Sequence, residues 1–141
     1  MRDLLRMLAL CLVLGAGHMV RAQGTITDSV YFRIPDRAKA MEAIRFDLAA
    51  YSDTLRVYRD ALATATTRLD ASTPAGEERK ARLGHLRRDV QSLDKEMKRL
   101  RKQVRKSAPP FEPTARTCAR LVQEVKRLRG RVIAEGVNPE P

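Results

Sequence analysis

The stretch MEAIRFDLAAYSDTLRVYRDALATATTRL, residues 41–69, decides the fold. Apolar side chains recur in it at steps of three and four: Met41, Ile44, Leu48, Tyr51, Leu55, Tyr58, Leu62, Ala65 and Leu69. A helix turns once in about 3.6 residues, so this spacing gathers them on one narrow stripe, and its unbroken heptad repeat predicts a coiled coil. Tyr51 and Tyr58 lie on that stripe and read as packing residues. Upstream, Pro35 suits a first helical turn, where an amide would lack an intrahelical partner anyway, and Asp36 suits the positive end of the helix dipole. The helix is therefore expected to start near Pro35. Downstream, residues 72–76 break the pattern, with Thr73 as a cap and Pro74 opening a second helix.

That second helix carries the stripe onward through Leu83, Leu86, Val90, Leu93, Met97, Leu100 and Val104. One antiparallel register brings Leu69 level with Leu83, Leu62 with Val90, Leu55 with Met97 and Leu48 with Val104. Residues 35–107 thus read as a helical hairpin arm with its tip at 72–76, each helix roughly 45 to 50 Å long at 1.5 Å per residue. Residues 108–113 form a break, because Pro109, Pro110 and Pro113 interrupt a helix. The seam occupies two positions in seven, so a two-helix rod buries little apolar surface and needs bracing by another element or subunit. A third helix over 114–136 repeats the spacing with Cys118, Leu121, Val125, Leu128 and Val132, and Gly136 is placed to cap it. It is assigned to a base, followed by a tail at 137–141. Residues 23–34 complete the base, and their Thr, Val, Ile, Tyr and Phe content predicts a short strand over 24–34. The expected class is mainly α: a long antiparallel coiled-coil hairpin, a third helix and a short N-terminal β-strand.

Residues 1–22 read as a signal peptide. Arg2 and Arg6 precede an apolar run from Met7 to Leu14, and Val20 and Ala22 offer small side chains for cleavage before Gln23. The run is too short for the roughly 20 apolar residues that span a bilayer. Cys11 leaves with the leader, and Leu10 is too large for a lipoprotein cut before it. The expected destination is the periplasm or the medium. Cleavage changes the balance from 28 basic and 17 acidic residues to 25 and 16, a formal charge of +9. Such a chain favours anionic partners.

The excess sits on the second and third helices. Residues 35–71 hold six basic and six acidic side chains, 77–107 twelve and five, and 114–136 six and two. The densest cluster is Lys95, Lys98, Arg99, Arg101, Lys102, Arg105 and Lys106, read as the client-binding surface because uncompensated like charges repel and cost stability. No catalytic, cofactor-binding or metal-binding residues are expected. His85 and Cys118 stand alone after cleavage, too few donors for a metal. Phosphate loops, nucleophile elbows and dinucleotide fingerprints are missing. His85 reads as a solvated residue and Cys118 as a small buried core residue, so the chain is not expected to be an enzyme.

The order of elements resembles the Skp/OmpH family of periplasmic chaperones. The residues that carry the likeness are Ser29-Val30-Tyr31-Phe32 with Pro35-Asp36-Arg37-Ala38-Lys39-Ala40, and the stretch from Val125 through Val132-Ile133-Ala134-Glu135-Gly136-Val137. The resemblance implies a homotrimer in which a small β-barrel body carries three helical arms around a basic cavity. It implies that unfolded outer-membrane proteins are held there without ATP or any other cofactor. Members continue into a final strand where this sequence reads Asn138-Pro139-Glu140-Pro141, so a divergent member is expected. The leading function is an ATP-independent periplasmic holdase for unfolded envelope proteins, steered by charge and held by weak apolar contacts along the inner arm faces. The alternative is a non-catalytic scaffold or adaptor of an envelope complex. Anionic lipid or lipopolysaccharide could meet the same basic face; nucleic acid is disfavoured by export and by the scarcity of aromatic side chains for stacking.

Overall fold

The computed structural model describes residues 30–106 and 108–139. The leader, the cleavage site and residues 24–29 of the expected strand lie outside them. A short 3-10 turn, Val30–Arg33, precedes three α-helices: α1 (Arg37–Thr67), α2 (Pro74–Lys106) and α3 (Phe111–Ala134). Among the described residues there is no strand.

Each helix boundary has a local cause. The Asp36 carboxylate accepts hydrogen bonds from the backbone N–H groups of Ala38 at 2.8 Å and Lys39 at 3.4 Å, so α1 is capped by Asp36 and Pro35 stands just outside it. The helix ends at Thr67, where the hydroxyls of Thr64, Thr66 and Thr67 bond back to the carbonyls of Asp60, Leu62 and Thr64. Leu69, expected on the seam, falls beyond this end and outside the core cluster. At the tip the Thr73 hydroxyl accepts from the Gly76 N–H at 3.1 Å, and Pro74 is the first residue of α2. The Asp70 carboxylate accepts from both the N–H and the hydroxyl of Ser72, which holds its pKa below the usual carboxylate value. Only glycine fits at 76, since a Cβ there would lie 1.9 Å from the Asp70 carbonyl oxygen.

The third helix starts at Phe111, three residues ahead of the expected Thr114. Pro113 sits in its first turn, where the missing N–H breaks no intrahelical bond, so the proline-rich break shrinks to the residues before Phe111. At the far end Gly136 takes φ +71°. Its N–H donates to the Ile133 carbonyl and the Val137 N–H donates to Val132, a Schellman close that buries Val137 beside Val132.

All three helices share one core. Leu48, Leu55 and Leu62 of α1 and Val90, Met97 and Val104 of α2 are fully buried in it. So are Cys118, Leu121, Val125, Leu128 and Val132 of α3, which packs against both other helices. The assignment of α3 to a separate base is therefore corrected. It runs back along the hairpin, antiparallel to α2, from Arg120 beside Glu96 to Glu135 beside Arg82 near the tip. Each fully buried Leu or Val adds roughly 1.5 to 3 kcal/mol, so α3 supplies the cover that the two-helix seam lacked.

The expected strand is corrected over Val30–Arg33. A strand turns successive side chains to opposite faces. Here adjacent Tyr31 and Phe32 both join the core, Tyr31 only 3% exposed. The 3-10 turn allows this and needs no neighbouring strand for its amides.

Candidate binding face

The seven cations singled out in the sequence all lie on the solvent side of α2 and all are exposed. The structure divides them. Lys98, Arg101, Lys102, Arg105 and Lys106 line one shallow open groove at the end of α2, whereas Lys95 and Arg99 lie outside its lining. The groove residues recur at helical steps of three and four, so their side chains project from neighbouring turns of one face. Lys98 donates to Asp94 at 2.6 Å. Arg101, Lys102, Arg105 and Lys106 make no ion pair with any described residue, so four adjacent positive charges face water without a local counter-charge.

The opposite flank of α2 behaves differently. There Arg120 of α3 reaches Glu96 at 2.7 Å and also Glu124 at 2.7 Å, Arg131 reaches Asp89 at 2.8 Å, and Arg82 reaches Glu135 at 2.9 Å. The two carboxylates raise the Arg120 pKa further. Arg79 also donates to the Glu135 carbonyl at 2.8 Å, tying the end of α3 to α2. Sequence reasoning missed this ladder. The signal was present: Arg82, Asp89 and Glu96 are spaced by seven, at one flank position of the α2 seam.

A second missed feature joins three elements at the end of the bundle away from the tip, the same end as the cationic groove. The Tyr31 hydroxyl donates to Asp47 at 2.6 Å and lies 3.2 Å from the Cys118 sulfur. Burial, then the bond to Asp47, raise the Tyr31 pKa far above its ordinary value. Burial pushes the Cys118 thiol up to about 11, and the Asp47 charge adds to it. Nearby, the Phe32 and Phe111 rings meet edge to face at 5.5 Å, and the Arg37 guanidinium lies 4.2 Å over the Phe111 ring. This constellation fastens the 3-10 turn to α1 and α3, and burial keeps the thiol protonated against the opposing effect of the Tyr31 hydrogen bond.

The remaining residues singled out in the sequence are dispersed. Tyr58 is buried, which raises its pKa, and Tyr51 is half-buried against the core. His85 is exposed and accepts a hydrogen bond at Nδ1 from Arg88 at 2.9 Å. A further hollow near the tip is floored by Val57, Ala61, Ala65 and Leu69, with Arg68 and Arg79 at its edge. Among the described residues no three His, Cys, Asp or Glu side chains come together to hold a metal ion. No described helix is long and apolar enough to cross a membrane. No family model, curated protein or solved structure matches the chain.

Proposed function

We propose that this chain is an ATP-independent, non-catalytic holding protein of the periplasm that binds acidic stretches of unfolded envelope proteins on the outer cationic face of α2. The observation that carries the reading is the groove of Lys98, Arg101, Lys102, Arg105 and Lys106, with one carboxylate, Asp94, for five cations. Like charges gathered without compensation repel, and an anionic client relieves that repulsion. The leader-like residues 1–22 and the Skp/OmpH resemblance supply the envelope setting, and the resemblance supplies a trimer as the proposed assembly.

The grip differs from the one expected along inner arm faces. Those faces are consumed by α3, so capture rests on charge at the surface, and apolar contact is left to scattered side chains such as Phe46, 73% exposed, and Ile133, 50% exposed. Long-range attraction of this kind raises the rate of encounter and is weakened by salt, because screening acts within about 10 Å at 0.1 M ionic strength.

The filled core favours a second reading. A bundle with its seam closed is also suited to scaffolding, where a folded partner with an acidic patch docks on the same face. Both forms are tested by diluting an unfolded outer-membrane β-barrel protein into buffer with and without the mature chain. The holdase reading expects suppressed aggregation at low salt that fades as salt rises. No suppression at low salt defeats it, and recovery of one folded, stoichiometric partner would then support the scaffold.

A further inference from the structure

A three-helix bundle has three surface grooves, and the contacts of this one tell them apart. The α2–α3 groove is closed by the ion pairs of Glu96 with Arg120, Asp89 with Arg131 and Arg82 with Glu135. Residues 82, 89 and 96 therefore mark the flank of α2 that faces α3, and residues 87, 94 and 101 mark the flank that faces α1. On α1, Asp47 reaches the Tyr31 hydroxyl, and Ala61 and Arg68 border a hollow beside Gly136 and Val137. That flank faces α3, so residues 45, 52, 59 and 66 look across the remaining groove at α2.

The charges in this α1–α2 groove do not match. Arg45 and Arg59 stand on the α1 side with Arg56 one position further out. Arg101 stands on the α2 side with Lys98 and Arg105 further out, and all six are exposed. Asp94, the acid on the α2 wall, is taken by Lys98 of its own helix, while Arg56 and Arg59 lean on Asp53 and Asp60 of theirs. Among the described residues no ion pair joins α1 to α2, although three join α2 to α3. Flank residues of packed helices set the choice of partner, and basic residues on both walls select against a basic neighbour and for an acidic one.

We infer that the α1–α2 groove is the docking site, and that its occupant is an acidic polypeptide segment whose Asp or Glu side chains meet Arg45 and Arg59 on one wall and Lys98, Arg101 and Arg105 on the other. The α2–α3 groove of the same molecule supplies the precedent, since there carboxylates and arginines pair across it from α2 flank positions spaced by seven. This inference rests on the proposed function and adds to it a second wall, on α1, which the sequence left charge-balanced.

The test uses the mature chain with fluorescently labelled poly-L-glutamate, and labelled single-stranded DNA as a competing class of polyanion. Arg45→Glu with Arg59→Glu alters the α1 wall, and Arg101→Glu with Arg105→Glu alters the α2 wall. Arg116→Glu with Lys126→Glu makes the same change in net charge on exposed positions of α3 that lie off its α2-facing flank. Each wall variant is expected to weaken poly-L-glutamate binding by about tenfold or more at low salt, and the α3 variant by no more than about threefold, the share owed to net charge alone. Arg45→Gln with Arg59→Gln should give a smaller loss in the same direction while leaving helix content unchanged. An α1 wall that behaves like the α3 control overturns the groove and leaves the α2 face standing. Both walls behaving like the control would defeat the proposed function as well, and tighter binding of DNA than of poly-L-glutamate would overturn the assignment of the occupant.

Discussion

Cys118 shows how much one residue's setting decides. Its sequence position on an apolar stripe indicated a buried thiol, and it is fully buried, but its partners Tyr31 and Asp47 come from elements whose approach no local spacing encodes. The thiol pKa rises to about 11 from an ordinary 9.0, and the Tyr31 phenol rises from 10.0. Both groups thus keep their protons in the folded state at a pH where the unfolded chain has begun to lose them. Stability from this source is complete below about pH 9 and declines as pH climbs through the thiol's folded value, with the thiol contributing on the order of 2 to 3 kcal/mol. Urea unfolding at about pH 7.5 and about pH 10.5 should show the loss, and Cys118→Ala should reduce it while Tyr31 retains its share. Equal stability of the native chain at both values would contradict the buried constellation.

At the scale of elements, much of the fold was legible and some of it was not. The heptads placed α1 and α2, Thr73 and Pro74 placed the start of α2, and Gly136 placed the end of α3, because each of these is dictated by neighbours within a turn or two. Val30, Tyr31 and Phe32 favour a strand by propensity alone, whereas the core draws two adjacent rings inward and a 3-10 turn results. Pro113 reads as a barrier beside Pro109 and Pro110, although a first-turn proline costs a helix little. The candidate site was legible as a run of cations, but its division into a groove and two outliers depends on side-chain direction around α2. The tip gives the sharpest test at this scale. Gly76→Ala should destabilise by about 1 to 3 kcal/mol, since its Cβ meets the Asp70 carbonyl and the turn must shift. Gly84→Ala meets nothing within 4 Å and should stabilise α2 by up to about 1 kcal/mol. Thermal unfolding of both variants checks the pair, and equal effects would mean that the tip turn is not the one described.

At the scale of the molecule, the three-helix bundle differs from the expected two-helix arm in one consequential respect. A two-helix arm with a thin seam demanded a partner for its apolar stripe, which argued for oligomerisation and for clients held along that stripe. With α3 laid over the seam the demand is met within the chain, so charge on the outside becomes the proposed basis of recognition, and the proposed trimer rests on the family resemblance alone. The energetic content is clear: Cys118, Leu121, Val125, Leu128 and Val132 tie α3 into the same cooperative core as the hairpin, and the exposed ion pairs beside them each add no more than about 1 kcal/mol. Native-state hydrogen exchange tests this most directly. The central amides of α3 are expected to open with the same free energy as those around Leu55 and Met97, as one global unit. Exchange of α3 through a separate, much cheaper opening would contradict it, since the hairpin would then stand with its apolar stripe free to hold a client.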